Sequence, residues 1–297
     1  MRIVSLLASG TELACALGAG DELVGRSHEC DHPAWVRRLP ALSRPTFDIG
    51  GSSADIDGRV RAKLRAGQPL YQIDEEQLDA LEPDVVITQT HCEVCAVSPA
   101  TPGCRPPRQR AVALQTGTVA GILQAFGDIA AVLGRPEAGA RLVTAARGRI
   151  ERWKKVTASL PRPRVVCLEW IAPPFPLGNW GPELIAAAGG DNLLGSAGGH
   201  SSAIAWEAVR AAAPEVLVVA PCGFGLERTA GEMAVLEAQP GWAELPAVRG
   251  GRVSIADGNL YFNRSGPGVF ETIDLLAEML HPGVFPARHE GTAWRRW

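Results

Sequence analysis

The sequence predicts an α/β protein made of two duplicated lobes with parallel sheets, and three observations predict it. Short apolar runs suited to fully buried strands, such as Val85-Val86-Ile87 and Val216-Leu217-Val218-Val219, alternate with helical segments. Four such elements recur in the same order in the two halves of the chain. Between the copies lies one long helical stretch, residues 136–159, about 35 Å at the α-helical rise. The expected architecture is Rossmann-like: a first lobe over residues 1–117, connecting helices over 118–162, a second lobe over 163–297, and a ligand cleft between the lobes.

The elements follow in order. Residues 2–7 read as a parallel core strand. Thr11 is placed to cap a helix ending near residue 17, where Gly18-Ala19-Gly20 closes it. Residues 23–25 form a second short strand that exits into Arg26-Ser27-His28-Glu29-Cys30-Asp31. Residues 31–58 are rich in Pro, Gly and Ser and read as surface loop. Helices are expected over 57–65 and 75–81, and Pro83 punctuates before the strand 85–87. That strand exits into Thr88-Gln89-Thr90-His91-Cys92-Glu93-Val94-Cys95. Residues 99–108, with four prolines and Cys104, read as a loop or flap, and 112–114 as another strand. Helices follow over 118–133 and, after Gly134-Arg135, from Pro136, a residue tolerated in a first turn. Pro161-Arg162-Pro163 ends the long helix.

The second lobe restarts the pattern. Arg164-Val165-Val166-Cys167-Leu168 repeats Arg2-Ile3-Val4-Ser5-Leu6, and Gly190-Asp191-Asn192-Leu193-Leu194-Gly195 echoes Gly20-Asp21-Glu22-Leu23-Val24-Gly25. Pro214-Glu215-Val216-Leu217-Val218 echoes Pro83-Asp84-Val85-Val86-Ile87. Asp274-Leu275-Leu276-Ala277-Glu278-Met279 matches Asp128-Ile129-Ala130-Ala131-Val132-Leu133.

Composition narrows the function classes. At 297 residues the chain suffices for two lobes of roughly 150 residues. Its 46% hydrophobic and 21% charged content is that of a globular protein. A net charge of -3 without a basic stripe gives no case for nucleic acid or an anionic membrane. No membrane-length apolar run and no secretory signal is evident, so a cytoplasmic location is expected. Seven cysteines are an odd number for a disulfide framework, and in a reducing compartment they are thiols.

In open parallel sheets ligands bind at the carboxyl ends of the strands. Position alone therefore selects residues 9–11, 28–30 and 91–95 in the first lobe. In the second it selects 169–180, 196–202, 221–224 and 259–264. His28, Cys30, His91, Cys92 and Cys95 form a candidate metal set, and a zinc site from His28, Cys30, Cys92 and Cys95 is chemically allowed if the loops meet. The Cys-x-x-Cys spacing alone is a weak signal, because no second pair accompanies it and Pro99 limits a redox-type helix. Cys15 and Cys167 read as core thiols, His281 and His289 as solvated surface, and His32 and Cys104 as structural. No dinucleotide, Walker, nucleophile-elbow or zincin motif is present, so no motif supports catalysis. The second lobe offers Glu169, Trp170, Asn179, Trp180, His200, Phe224, Asn259, Tyr261, Asn263 and Arg264, a mixture suited to a large ligand with an apolar plane and a polar rim.

These residues carry a family resemblance. The opening Arg2-Ile3-Val4-Ser5-Leu6-Leu7-Ala8-Ser9-Gly10-Thr11-Glu12, with Leu17-Gly18 and Leu23-Val24-Gly25, resembles the iron-siderophore/cobalamin type of periplasmic binding protein. Ser27-His28-Glu29-Cys30-Asp31, His91-Cys92-Glu93-Val94-Cys95 and Gly258-Asn259-Leu260-Tyr261-Phe262-Asn263 are similar to its leaderless cobalamin-binding branch. The resemblance implies non-covalent capture of a metal-organic ligand and delivery to an ABC permease. Without a leader the chain is not expected to meet a permease from the periplasm, and Ala8 replaces the proline of the first loop.

Two readings follow. In the first, the chain binds a corrinoid such as cobalamin, or a related metal-chelate. His28 or His91 then offers an imidazole to the metal, with Glu29 beside it, while Trp170, Trp180 and Phe224 cover the macrocycle. In the second, the cysteine and histidine cluster holds zinc, iron or an iron–sulfur cluster, and the chain is a metal-site protein or an enzyme.

Overall fold

The structure is a computed structural model and describes residues 1–90 and 110–297. The chain divides into two compact units. The first comprises Met1–Gly51, Asp55–Ala145 and Ser265–Pro267, and the second Ser52–Ala54, Ala146–Arg264 and Gly268–Trp297.

The first unit begins with β1 (Ile3–Ser5), α1 (Ala8–Ala16) and β2 (Leu23–Arg26). It continues through β3 (Ser43–Pro45), α2 (Ser53–Arg65), β4 (Tyr71–Ile73), α3 (Glu75–Ala80), β5 (Val85–Gln89) and β6 (Arg110–Leu114). Then come α4 (Val119–Val132) and the start of α5 (Pro136–Thr157). A parallel sheet in the order β2-β1-β5-β6 forms its centre, with Ile3, Val4 and Ser5 paired to Val85, Val86 and Ile87. Every residue of β1 and β5 is buried, as the apolar runs require of strands covered on both faces. The strand, the helix pair and the first-turn proline thus lie where the sequence puts them. Thr118 caps α4 by accepting the Gly121 N–H at 3.0 Å.

Two expectations are corrected. The loop expected over 31–58 contains β3, which pairs antiparallel with β4 in a separate two-stranded sheet, and α2 starts within it at Ser53. The driving force is burial: Leu42 packs with Leu70, Tyr71 and Ile73. Nor does Thr11 cap α1. That helix starts at Ala8 behind an extended Leu7, and it lies so close to the sheet that a Cβ on Gly10 would stand 2.7 Å from Ile87 Cγ2. Thr11 is consequently fully buried inside the helix.

The second unit contains the end of α5, then β7 (Arg164–Trp170), β8 (Phe175–Pro176), α6 (Gly181–Ala187) and β9 (Asp191–Asn192). After these come α7 (Trp206–Ala212), β10 (Val216–Val219), α8 (Leu226–Glu237), α9 (Pro246–Arg249), β11 (Val253–Ala256), α10 (Thr272–Leu280) and β12 (Trp294–Arg296). Its sheet runs β12-β11-β10-β7-β8, with β9 also on β7. The pairs joining β9, β7, β10 and β11 are parallel, and β12 and β8 add antiparallel edges that apolar runs do not announce. The core joins Val166 and Leu168 to Leu217, Val219, Val253 and Ile255, covered by Trp206, Met233, Leu236 and Trp242. The end of α5 docks on α10: Trp153 Nε1 donates to Asp274 Oδ1 at 3.0 Å, and Arg149 stands 3.3 Å from Oδ2.

His281, expected on the surface, is buried, with Nε2 3.0 Å from the Ala188 carbonyl. His289 is part-exposed but tied to the buried Glu278 at 2.7 Å. Among the described residues no helix is long and apolar enough to cross a membrane.

Candidate functional site

In the first unit the strand exits bring polar side chains into a buried setting. Ser9 Oγ accepts the Ser265 N–H at 2.9 Å, and Thr116 Oγ1 bonds Ser265 Oγ at the same distance. All three residues are buried, so the segment Ser265–Pro267 is stitched to the start of α1 by hydroxyls.

At the exit of β2, His28 and Cys30 take different partners. His28 Nδ1 lies 2.8 Å from Ser43 Oγ, and the same oxygen accepts the His28 backbone N–H at 3.2 Å. The Tyr71 ring lies against the imidazole at 5.4 Å. The ring is about one-fifth exposed, with Nε2 4.0 Å from a carboxylate oxygen of Glu29. Burial, aided by the nearby Arg26 guanidinium, lowers the His28 pKa to about 4, so the imidazole is neutral at pH 7.

Cys30 is buried under α1. Thr11 Oγ1 donates to its sulfur at 2.9 Å, and Ser27 Oγ lies at 3.5 Å. Burial raises its pKa, the opposite of what a ligating thiolate requires. The same cause pushes Cys15 up to about 11 and raises Cys167, the behaviour of core thiols. His91, Cys92, Cys95 and Cys104 lie outside the described residues. Among the described residues no group of three or more His, Cys, Asp or Glu side chains is placed to hold a metal.

In the second unit the strand exits build an aromatic pair of which Trp170 is part-exposed, while Phe224, expected to cover a ligand, is buried behind it. Trp170 closes β7, and its ring lies 5.2 Å from that of Phe224, which follows β10. The Arg228 guanidinium, in the first turn of α8, stands 3.9 Å over the Phe224 ring. Cys222 N donates to the Glu169 carbonyl at 2.9 Å and joins the two exits.

Beyond β11 the chain makes a π-helical turn, Gly258–Phe262, started by Asp257 Oδ1 accepting the Leu260 N–H at 2.8 Å. Such wide turns recur at functional sites because they re-aim side chains. Asn263 Nδ2 donates to the Ala220 and Gly258 carbonyls, both at 2.9 Å, so this side chain fastens the turn to β10. The buried Arg264 donates to Asn259 Oδ1 at 2.8 Å. Tyr261 is half-buried; burial first, then Glu271 and Asp257, raises its pKa and keeps the phenol protonated.

Trp180, expected to cover a ligand, is 5% exposed, and its indole N–H donates to the Phe262 carbonyl. It therefore supports the π-helical turn from beneath. Asn179 adopts φ +50° and exchanges backbone hydrogen bonds with Gly198 and Gly199, while His200 is exposed in the next loop. Sequence reasoning missed Ser43 and Tyr71, which hold His28, and Arg228. Ser43 lies where no apolar period marks a strand, and the alternation around Tyr71 spans only Tyr71-Gln72-Ile73. Arg228 could have been found as the cation four residues after Phe224.

The strand exits of the first unit hold a neutral imidazole; those of the second hold an aromatic pair with a cation, and a polar turn. No curated protein matches the sequence. Solved structures do. A periplasmic heme-binding protein from Pseudomonas aeruginosa aligns with 95% of this chain and 93% of its own, at TM-score 0.71 and 23% identity. The periplasmic heme-binding protein RhuT from Roseiflexus sp. RS-1 aligns at 0.67 and 26%, covering 94% and 96%. The periplasmic vitamin B12 binding protein BtuF of Vibrio cholerae aligns at 0.65 and 21%, also covering 94% and 96%. These likenesses concern the fold. The family model described as periplasmic binding protein matches residues 3–260, most of the chain, and the chain belongs to that family.

Proposed function

We propose that the chain binds a planar metal-chelate, a corrinoid (cobalamin-like) or related tetrapyrrole, at its strand-exit loops and serves an ABC-type permease. The observation that carries this reading is the Trp170–Phe224 pair with Arg228 above it. The part-exposed Trp170 ring, backed by the buried Phe224, offers apolar area to a macrocycle, and the exposed guanidinium beside them suits an anionic edge group. Asn259 and Tyr261 add directed hydrogen-bonding groups on a turn that Asn263 and Trp180 hold in place. Proteins of the same fold described as heme-binding and vitamin B12-binding support the ligand class.

The test is a titration of the purified protein with cyanocobalamin and with ferric protoporphyrin IX. Tryptophan fluorescence and the visible spectrum are followed together. Saturable quenching at micromolar ligand is expected with at least one of them. Unchanged fluorescence and an unchanged spectrum with both would overturn the proposal.

A further inference from the structure

We infer that Thr272 is a positioning residue for ligand recognition. Its hydroxyl holds the π-helical turn so that the Tyr261 phenol donates to an acceptor oxygen on the rim of the bound chelate. The inference rests on the function proposed above and deepens it, and every group it uses lies in the second unit.

The last carbonyls of a helical turn have no partner within it. In the turn Gly258–Phe262 the Gly258 carbonyl takes the Asn263 N–H at 3.2 Å, which leaves the carbonyls at its end to be satisfied from elsewhere. Two side chains distant in sequence do this. Thr272 Oγ1, on the first residue of α10, donates to the Tyr261 carbonyl at 2.7 Å. Trp180 Nε1, just ahead of α6, donates to the Phe262 carbonyl at 3.2 Å. A carbonyl only accepts, so the hydroxyl of Thr272 is the donor. Thr272 is fully buried, and its branched side chain has few rotamers, so the hydroxyl stays aimed.

The turn is also fastened to the aromatic pair. Asn259 N donates to the Phe224 carbonyl at 3.1 Å, and Asn263 Nδ2 reaches the Ala220 carbonyl beyond β10. A Cβ on Gly258 would collide with the Pro221 carbonyl, so the turn is pressed onto the strand exit. Tyr261 is carried by this braced segment. It is part-exposed, and its phenol oxygen makes no hydrogen bond among the described residues. Burial and the nearby Glu271 and Asp257 carboxylates keep the phenol protonated, so it is a donor at neutral pH. Corrinoids carry carboxamides on their rim and protoporphyrin carries carboxylates, and both present acceptor oxygens.

A double-mutant cycle between Thr272 and Tyr261 tests this. Wild type, Thr272→Val, Thr272→Ser, Tyr261→Phe and the Thr272→Val/Tyr261→Phe double variant are titrated with cyanocobalamin and with ferric protoporphyrin IX. Tryptophan fluorescence reads binding, and far-ultraviolet circular dichroism checks the fold of each. Thr272→Val keeps the shape but removes the donor, and is expected to weaken binding about tenfold, as is Tyr261→Phe. Thr272→Ser keeps the hydroxyl and should stay within about threefold of wild type. With the phenol gone, Thr272→Val should weaken binding no further. A merely structural threonine would weaken binding equally in both backgrounds, and that result would overturn the inference. Tyr261→Phe binding both ligands as tightly as wild type would overturn it too, even if Thr272→Val fails to fold. A loss confined to cyanocobalamin assigns the acceptor to a carboxamide, and one confined to ferric protoporphyrin IX to a carboxylate; either supports the inference. Silence of wild type towards both ligands would instead remove the proposed function, and the inference with it.

Discussion

His28 Nδ1 and Ser43 Oγ lie 2.8 Å apart, fifteen positions apart in sequence, and this contact holds a neutral imidazole in a mostly buried place. The unfolded chain protonates this histidine near pH 6.5, the folded protein only near pH 4. Between these values the unfolded state binds more protons, so stability is complete above pH 6.5 and declines as pH falls towards 4. The loss amounts to about 3 kcal/mol over that window, taking about 1.4 kcal/mol per unit. Urea unfolding of wild type and His28→Asn at pH 7 and pH 4.5 checks it. The wild-type midpoint should drop with pH much more steeply than the variant's, and parallel curves would refute the assignment.

What could be read in the sequence follows from how local the signal is. Val85 to Ile87 and Val216 to Val219 announce themselves because strands buried on both faces are apolar at successive positions. Thr118 and Pro136 mark helix starts by chemistry confined to one turn. The ribbon of β3 and β4 left no such mark: Ser43-Arg44-Pro45 has no apolar period, and its partner lies 26 residues on. His28 was selected by its place at a strand exit, but its anchor Ser43 lay in that unmarked segment. Trp170 and Trp180 looked alike at this level. Spacing cannot tell that one ring meets Phe224 at the strand exit while the other turns under the π-helical turn, because that depends on contacts across the sheet. Position on α1 misled for Thr11, since a hydroxyl that can cap a helix can equally serve a buried thiol.

Gly139 sets how closely α5 approaches α4. A Cβ there would collide with the Cβ of Ala130, and the Phe126 carbonyl lies 3.3 Å from it. Gly139→Ala gains helix propensity in the chain but must push two helices apart, and overpacking of this kind costs about 1–3 kcal/mol. Thermal unfolding should show a lowered midpoint, whereas Gly148→Ala on the same helix, where a Cβ meets nothing within 4 Å, should raise it.

Glu278 carries a buried carboxylate whose observed partners all come from the C-terminal segment. His289 N donates to Oε2 at 3.1 Å, Trp294 Nε1 donates to Oε2 at 2.8 Å, and His289 Nδ1 meets Oε1 at 2.7 Å. Trp294 in turn sits fully buried on β12, the edge strand paired with β11. Glu278→Ala leaves the indole N–H without its acceptor inside the protein. The expected cost is about 3 kcal/mol, and amide hydrogen exchange in residues 289–297 should speed up before that of β10. Glu278→Gln keeps one acceptor oxygen and should lie between. Equal exchange in wild type and Glu278→Ala would show that β12 is held by its strand pairing alone.

Arg228 tests whether the aromatic pair of the second unit is built for binding or for stability. Its guanidinium stands over Phe224, but the side chain is exposed, and an exposed cation–π contact contributes about 0.5–1 kcal/mol. Arg228→Ala should therefore change the urea midpoint little. Phe224 is 2% exposed, so Phe224→Ala should cost about 3–5 kcal/mol. If the cation also meets an anionic edge group of the ligand, Arg228→Ala loses affinity for ferric protoporphyrin IX, whose rim carries carboxylates, while Arg228→Lys retains part of it. The loss should diminish at high salt, because an exposed charge pair is screened. A variant that binds as tightly as wild type at low salt would assign Arg228 to covering Phe224 and nothing more.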